Sequence, residues 1–64
     1  MKYQKGDLLY IPEFRKYPEE YILVIEADVR EGAFAGTYSV FSLTENRKDH
    51  FNAIWLDNKA KKVG

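Results

Sequence analysis

The chain has 64 residues and a mass of 7.5 kDa, and its ten Lys and Arg balance its ten Asp and Glu. That length has room for one domain. With no cysteine and a single histidine, a disulfide framework, a thiolate zinc site, a cysteine nucleophile and an imidazole metal site are all excluded, so the fold rests on packing.

Hydrophobic residues make up 45% and charged residues 31%, with four Gly and two Pro, which is a globular and not a low-complexity balance. The longest uncharged run, residues 32–44, is interrupted by Thr37, Ser39 and Ser42 and is shorter than the twenty or so apolar residues of a membrane span. The start, MKYQKGD, carries no apolar h-region and no Asn-x-Ser/Thr acceptor occurs, so a cytoplasmic protein is the expectation.

In chain order, Gly6-Asp7 precedes Leu8-Leu9-Tyr10-Ile11, a short apolar run closed by Pro12 that reads as a first, buried strand. Residues 13–20 combine charge, two aromatics and Pro18, which biases Tyr17 towards extended backbone, and read as a stiff loop. From Tyr21 to Glu31, Tyr21, Leu23, Ile25, Ala27 and Val29 share one face, while Ile22 and Val24 give way to Glu26, Asp28 and Arg30 on the other. The pattern predicts a long strand covered on both faces in its first half and on one face in its second.

Gly32 and Gly36 bracket a turn around Phe34. A third strand is expected over Thr37 to Leu43, with Tyr38 and Val40 alternating against Phe41 and Leu43. The polar cluster from Thr44 to Asp49 reads as a turn, followed from Phe51 to Leu56 by a fourth strand or a strand tightening into a one-turn helix around residues 54–57, with Trp55 and Leu56 as anchors. A very short last strand ends on Val63. Together these elements predict an all-β fold of four to five antiparallel strands rolled into a small barrel, with room for one short 3-10 turn near the C-terminus.

The segments Lys5-Gly6-Asp7-Leu8-Leu9, Ile22-Leu23-Val24-Ile25-Glu26, Tyr38-Ser39-Val40-Phe41 and the terminal Leu56 to Val63 resemble the strand signature of small Src-homology-3-like barrels. Bacteriophages encode many stand-alone proteins of this type, so the resemblance implies a viral origin, a host cytoplasm and a binding habit without a reaction. Related starts occur in KOW-type translation and transcription modules. There a glycine opens the middle strand and shapes the loop that approaches RNA; here Glu20 or Tyr21 stands in its place.

In such a barrel the loop from Glu13 to Glu20 lies beside the groove that receives extended, often proline-rich peptides. Phe14 and Tyr17 would supply aromatic ridges, and Glu13, Glu19 and Glu20 would meet a basic residue of the ligand. Alternatively, both rings fold back as a lid over an undersized core. Phe34, flanked by small residues, is a candidate partner anchor at a hairpin tip, and Trp55 is a candidate for either the core or a binding surface.

The balanced charge hides an uneven distribution. Residues 1–20 sum to zero, residues 21–45 to minus three and residues 46–64 to plus three. The basic end holds Arg47, Lys48, Lys59, Lys61 and Lys62 near Phe51 and Trp55, a mixture suited to phosphates and bases, although a neutral chain is a poor nucleic-acid binder. The competing reading is a solvated face with lysines guarding a sheet edge. No catalytic constellation, metal set or cofactor motif stands out. The expectation is a non-enzymatic module that binds a protein, either a host factor or its own copies; nucleic-acid binding through the basic end and a structural or assembly role are the alternatives.

Overall fold

The computed structural model describes residues 2–28 and 36–63. They form β1 (Leu8–Ile11), β2 (Glu20–Asp28), β3 (Thr37–Ser42), β4 (Arg47–Asn52), α1 (Ala53–Lys59) and β5 (Lys61–Lys62). All pairings are antiparallel, in the order β4-β3-β2-β1-β5. The expected β architecture is present, but as an open sheet and not a closed barrel. The edges are β4 and the two-residue β5, and the residues between them coil into α1 instead of extending either edge to close the gap.

The first strand starts and stops where the sequence predicts. Ahead of it, Gly6 turns the chain at φ 95, and the Asp7 carboxylate accepts from Gln4 N–H at 3.0 Å. The other Asp7 oxygen meets Lys62 Nζ of β5 at 3.5 Å, so the Gly-Asp pair closes a turn and reaches the edge strand. Past Pro12, Phe14 and Tyr17 exchange two backbone hydrogen bonds of 3.0 and 2.8 Å. They enclose a two-residue turn in which Arg15 takes φ 53, so loop 12–19 is a miniature hairpin.

The face assignment along β2 is corrected by a bulge. The register with β3 steps from Val24↔Val40 to Glu26↔Ser39, leaving Ile25 as the extra residue. Ile22 and Val24 therefore share the core side with Ala27, while Tyr21 and Leu23 stay 44% and 38% exposed on a face expected to be covered. The rest of the predicted strand and the 32–36 turn before Gly36 lie outside the described residues.

Two further boundaries differ from expectation. The turn after β3 is confined to residues 43–46, with Asn46 at φ 57, and β4 begins at Arg47. An edge strand needs no apolar alternation, and Arg47-Lys48-Asp49 pairs with Ser42, Phe41 and Val40 through its backbone. The C-terminal helix is a seven-residue α-helix and not a single turn. The Asn52 side chain caps it, Oδ1 accepting from Ile54 N–H at 2.9 Å and Trp55 N–H at 3.2 Å. Ala53 and Leu56, and Ala60 just beyond, then fall on the buried side at helical spacing.

The core lies between one face of the sheet and α1: Leu9, Ile11, Ile22, Val24, Tyr38, Val40, Ala53, Leu56 and Ala60, with Tyr3 from the N-terminal segment. Trp55 packs against this core half-buried, so it is neither wholly core nor wholly surface. A polar thread runs through it. Tyr38 Oη donates to Asp57 Oδ1 at 2.6 Å and accepts from Tyr3 N–H at 3.0 Å, while Tyr3 Oη donates to the Ala60 carbonyl at 2.8 Å. Burial, reinforced by the Asp57 hydrogen bond, pushes the Tyr38 phenol up to about 12. Among the described residues, no helix is long and apolar enough to cross a membrane.

Candidate functional site

Two walls of aromatic and proline side chains face each other across an open groove of about 570 Å³. Pro12, Phe14, Tyr17 and Pro18 come from loop 12–19. His50, Phe51, Asn52 and Trp55 come from the corner where β4 runs into α1, and Ile11 and Glu20, the end of β1 and the start of β2, join the walls. Each wall has a local cause. The miniature hairpin sets Phe14 and Tyr17 across from each other as a bridged pair, leaving Tyr17 71% exposed and Phe14 half-buried. The Asn52 cap starts α1 so that Trp55 follows Phe51 by four residues, and the two rings stack at 5.6 Å between centroids, 9° apart.

The loop is anchored at its far end by Glu19, whose carboxylate accepts from Tyr10 Oη at 2.6 Å and thereby raises the Tyr10 pKa. Glu20 lines the groove. A smaller cavity of about 220 Å³ adjoins it, bounded by Ile11, Pro12, Glu13, Phe14, Trp55 and Lys59. Phe14 and Trp55 belong to both. Lys59 Nζ stands 4.2 Å from the Phe14 ring centroid, and the Arg15 guanidinium carbon 5.2 Å from the same centroid.

Of the residues singled out from the sequence, Phe14, Tyr17 and Trp55 are thus brought together, whereas Phe34 lies outside the described residues. The basic residues are dispersed. Arg47 and Lys48 are on β4, where Arg47 lies 3.9 Å from Asp49; Lys61 and Lys62 are on β5, with three strands between the two edges. Lys59 is committed to Phe14 and Lys62 to Asp7. Sequence reasoning missed Pro12, Pro18 and His50 as lining residues, and the spacing of Phe51 and Trp55 by four is the one signal that would have paired them. His50 is exposed, with Nδ1 3.2 Å from Ser39 Oγ.

The sheet's other face carries a second cluster. Cross-strand pairing aligns Leu8, Leu23 and Phe41 in one row, and Tyr10, Tyr21 and Leu43 form the next, with the Tyr10 and Tyr21 rings 5.1 Å apart. Leu43 is 52% exposed. Lys48, opposite Phe41, and Lys61, opposite Tyr10, stand at the two ends of these rows. Compared with known proteins, the chain matches no family model, no curated protein and no solved structure.

Proposed function

We propose that this protein is a small, non-enzymatic binding module of Src-homology-3-like build that receives an extended, proline-rich segment of a partner protein. The observation that carries the reading is the groove itself: Phe14, Tyr17, Phe51 and Trp55, with Pro12 and Pro18, line one open channel on the surface. Flat, stiff rings spaced along a channel suit a polyproline II ligand, because both sides are already ordered and little entropy is lost on contact. The strand order, the long β1–β2 loop and the helix between β4 and β5 support the Src-homology-3-like build. With the resemblance to phage-encoded barrels, this favours a host protein in the cytoplasm as the partner.

The test is titration of proline-rich peptides against the fluorescence of Trp55, the single tryptophan. Saturable binding is expected, and Tyr17→Ala should weaken it about tenfold or more, the loss of a side chain worth about 1.4 kcal/mol or more. Tyr17 is largely exposed, so the substitution leaves the fold intact. Peptides that leave the tryptophan signal unchanged at millimolar concentration would refute the reading.

A second reading, self-association through the sheet's other face, is favoured by the two apolar rows and by the zero net charge, which sets up no long-range repulsion between copies. Concentration-dependent sedimentation abolished by Leu23→Glu would establish it; a monomer at millimolar concentration would exclude it. Nucleic-acid binding has no comparable support, because four of the five cations it requires are split between two sheet edges, the fifth, Lys59, is on α1, and Lys59 and Lys62 already face Phe14 and Asp7.

A further inference from the structure

We infer that Asp49 guards the free edge of β4, keeping that edge from pairing with the β4 of a second copy. The guard is separate from both the groove and the sheet's other face. Ala53 N–H donates to the Gly36 carbonyl at 3.0 Å, on the β3 side. Successive residues of an antiparallel strand turn their backbone groups to opposite sides, so the amides of Lys48, His50 and Asn52 point away from β3 to the open edge. At the middle of these three, His50 N–H donates to Asp49 Oδ1 at 2.8 Å. The central donor of the edge is therefore covered by the side chain of its own neighbour.

The face on which Asp49 stands is the second observation. Register sets it opposite Val40, which is fully buried, with Arg47 and Phe51 on the same side of β4. An apolar residue at this position would extend the core, yet a half-buried carboxylate stands there. Its Oδ2 lies 3.9 Å from Arg47 Nη2, and 39% of the side chain remains in water. A strand arriving at the edge would take the His50 amide from Oδ1 and desolvate the carboxylate. Inward-pointing charges on edge strands oppose pairing for this reason.

The two longest pairings of β4 with a second β4 both meet this obstacle. Centred on His50, the two histidines exchange backbone hydrogen bonds, and each Asp49 faces Phe51 of the other copy. Centred on Asp49, the two carboxylates face each other, which is unfavourable. With valine at position 49, the first pairing instead sets a β-branched side chain against an aromatic one, a favourable cross-strand pair. His50, Phe51 and Asn52 also wall the groove, so the guard keeps that wall clear of a second copy.

The test compares Asp49→Val and Asp49→Ala in a Leu23→Glu background, where a charge on the sheet's other face blocks association through it. The Leu23→Glu parent should sediment as a monomer. Both Asp49 variants should dimerise with rising concentration, valine the more tightly; alanine adds no apolar bulk, so its association reports the loss of the carboxylate alone. Amide exchange at His50 should slow about tenfold or more in the dimer, as an edge amide enters a ladder. His50→Pro added to Asp49→Val deletes the outward amide without removing a bond to β3, and it should restore the monomer. Asp49 variants that both stay monomeric with a folded amide spectrum would overturn the guard. Dimers that persist with His50→Pro, or a parent that already dimerises with His50 protected, would overturn it as well. No peptide enters the comparison, so the groove reading stands or falls separately.

Discussion

The hydroxyl of Tyr38 donates to Asp57 Oδ1 across 2.6 Å, tying the middle of the sheet to α1 at a point where the tyrosine side chain is fully buried. The same oxygen accepts from Tyr3 N–H, and Asp57 Oδ1 also accepts from Lys2 N–H at 3.2 Å, so one phenol joins β3, the helix and the N-terminal segment. Together with the burial of Ala53 and Leu56, this network holds α1, and with it Trp55, against the sheet. Tyr38→Phe keeps the ring and strands the Tyr3 amide, and it should cost about 1–3 kcal/mol in urea unfolding with no change in denaturant sensitivity.

The same residue gives the protein an alkaline limit. Its folded-state pKa, raised to about 12 against an ordinary 10, means the contribution is fully present below pH 10 and is lost as pH rises from 10 to 12. Tyr3, raised chiefly by burial, acts in the same direction. Unfolding midpoints measured between pH 8 and 12 should fall steeply above 10, and the fall should be shallower in Tyr38→Phe. An identical pH profile in the two proteins would contradict the assignment.

Asn52 links fold to groove. Its side chain accepts from the first free amides of α1, and Asn52→Ala should destabilise the protein by about 0.5–2 kcal/mol. Because α1 places Trp55, the emission of the tryptophan should also move to longer wavelength as the first turn loosens. Thermal unfolding and the emission maximum check the two halves of this prediction together.

Gly6 tests the turn before β1. A Cβ built there meets nothing within 4 Å, so any cost of Gly6→Ala is conformational and comes from φ 95 alone. A loss of about 1–2 kcal/mol is expected by chemical denaturation.

How far the sequence disclosed this molecule depended on what each element had to bury. Leu8–Ile11 and Thr37–Ser42 are legible because their apolar residues alternate or are bounded by turn formers. The bulge at Ile25 is not, since an uninterrupted apolar run from Tyr21 to Ile25 carries no mark of where the face switches. β4 is hidden because an edge strand is held by backbone pairing, and its six residues, RKDHFN, satisfy no apolar pattern. α1 had a signal: Asn52 before Ala53, Leu56 and Ala60 at helical spacing, overshadowed by the strand-like cluster Phe51 to Leu56. In the candidate site, Phe14 and Tyr17 stood out as aromatics on a charged loop, and Trp55 as a large ring in an apolar run between Ile54 and Leu56. Their meeting did not, because it depends on a seven-residue helix capped by Asn52, where the pattern suggests a strand or a single helical turn.

The central claim, that the groove between loop 12–19 and the β4–α1 corner receives an extended partner segment, is tested most directly by a two-dimensional amide and ring-proton NMR titration with a proline-rich peptide. The account predicts saturable shifts at Phe14, Tyr17, Phe51 and Trp55, with Tyr21, Leu23 and Leu43 on the sheet's other face unmoved. Shifts confined to Tyr21, Leu23 and Leu43, or none at any peptide concentration, would contradict it.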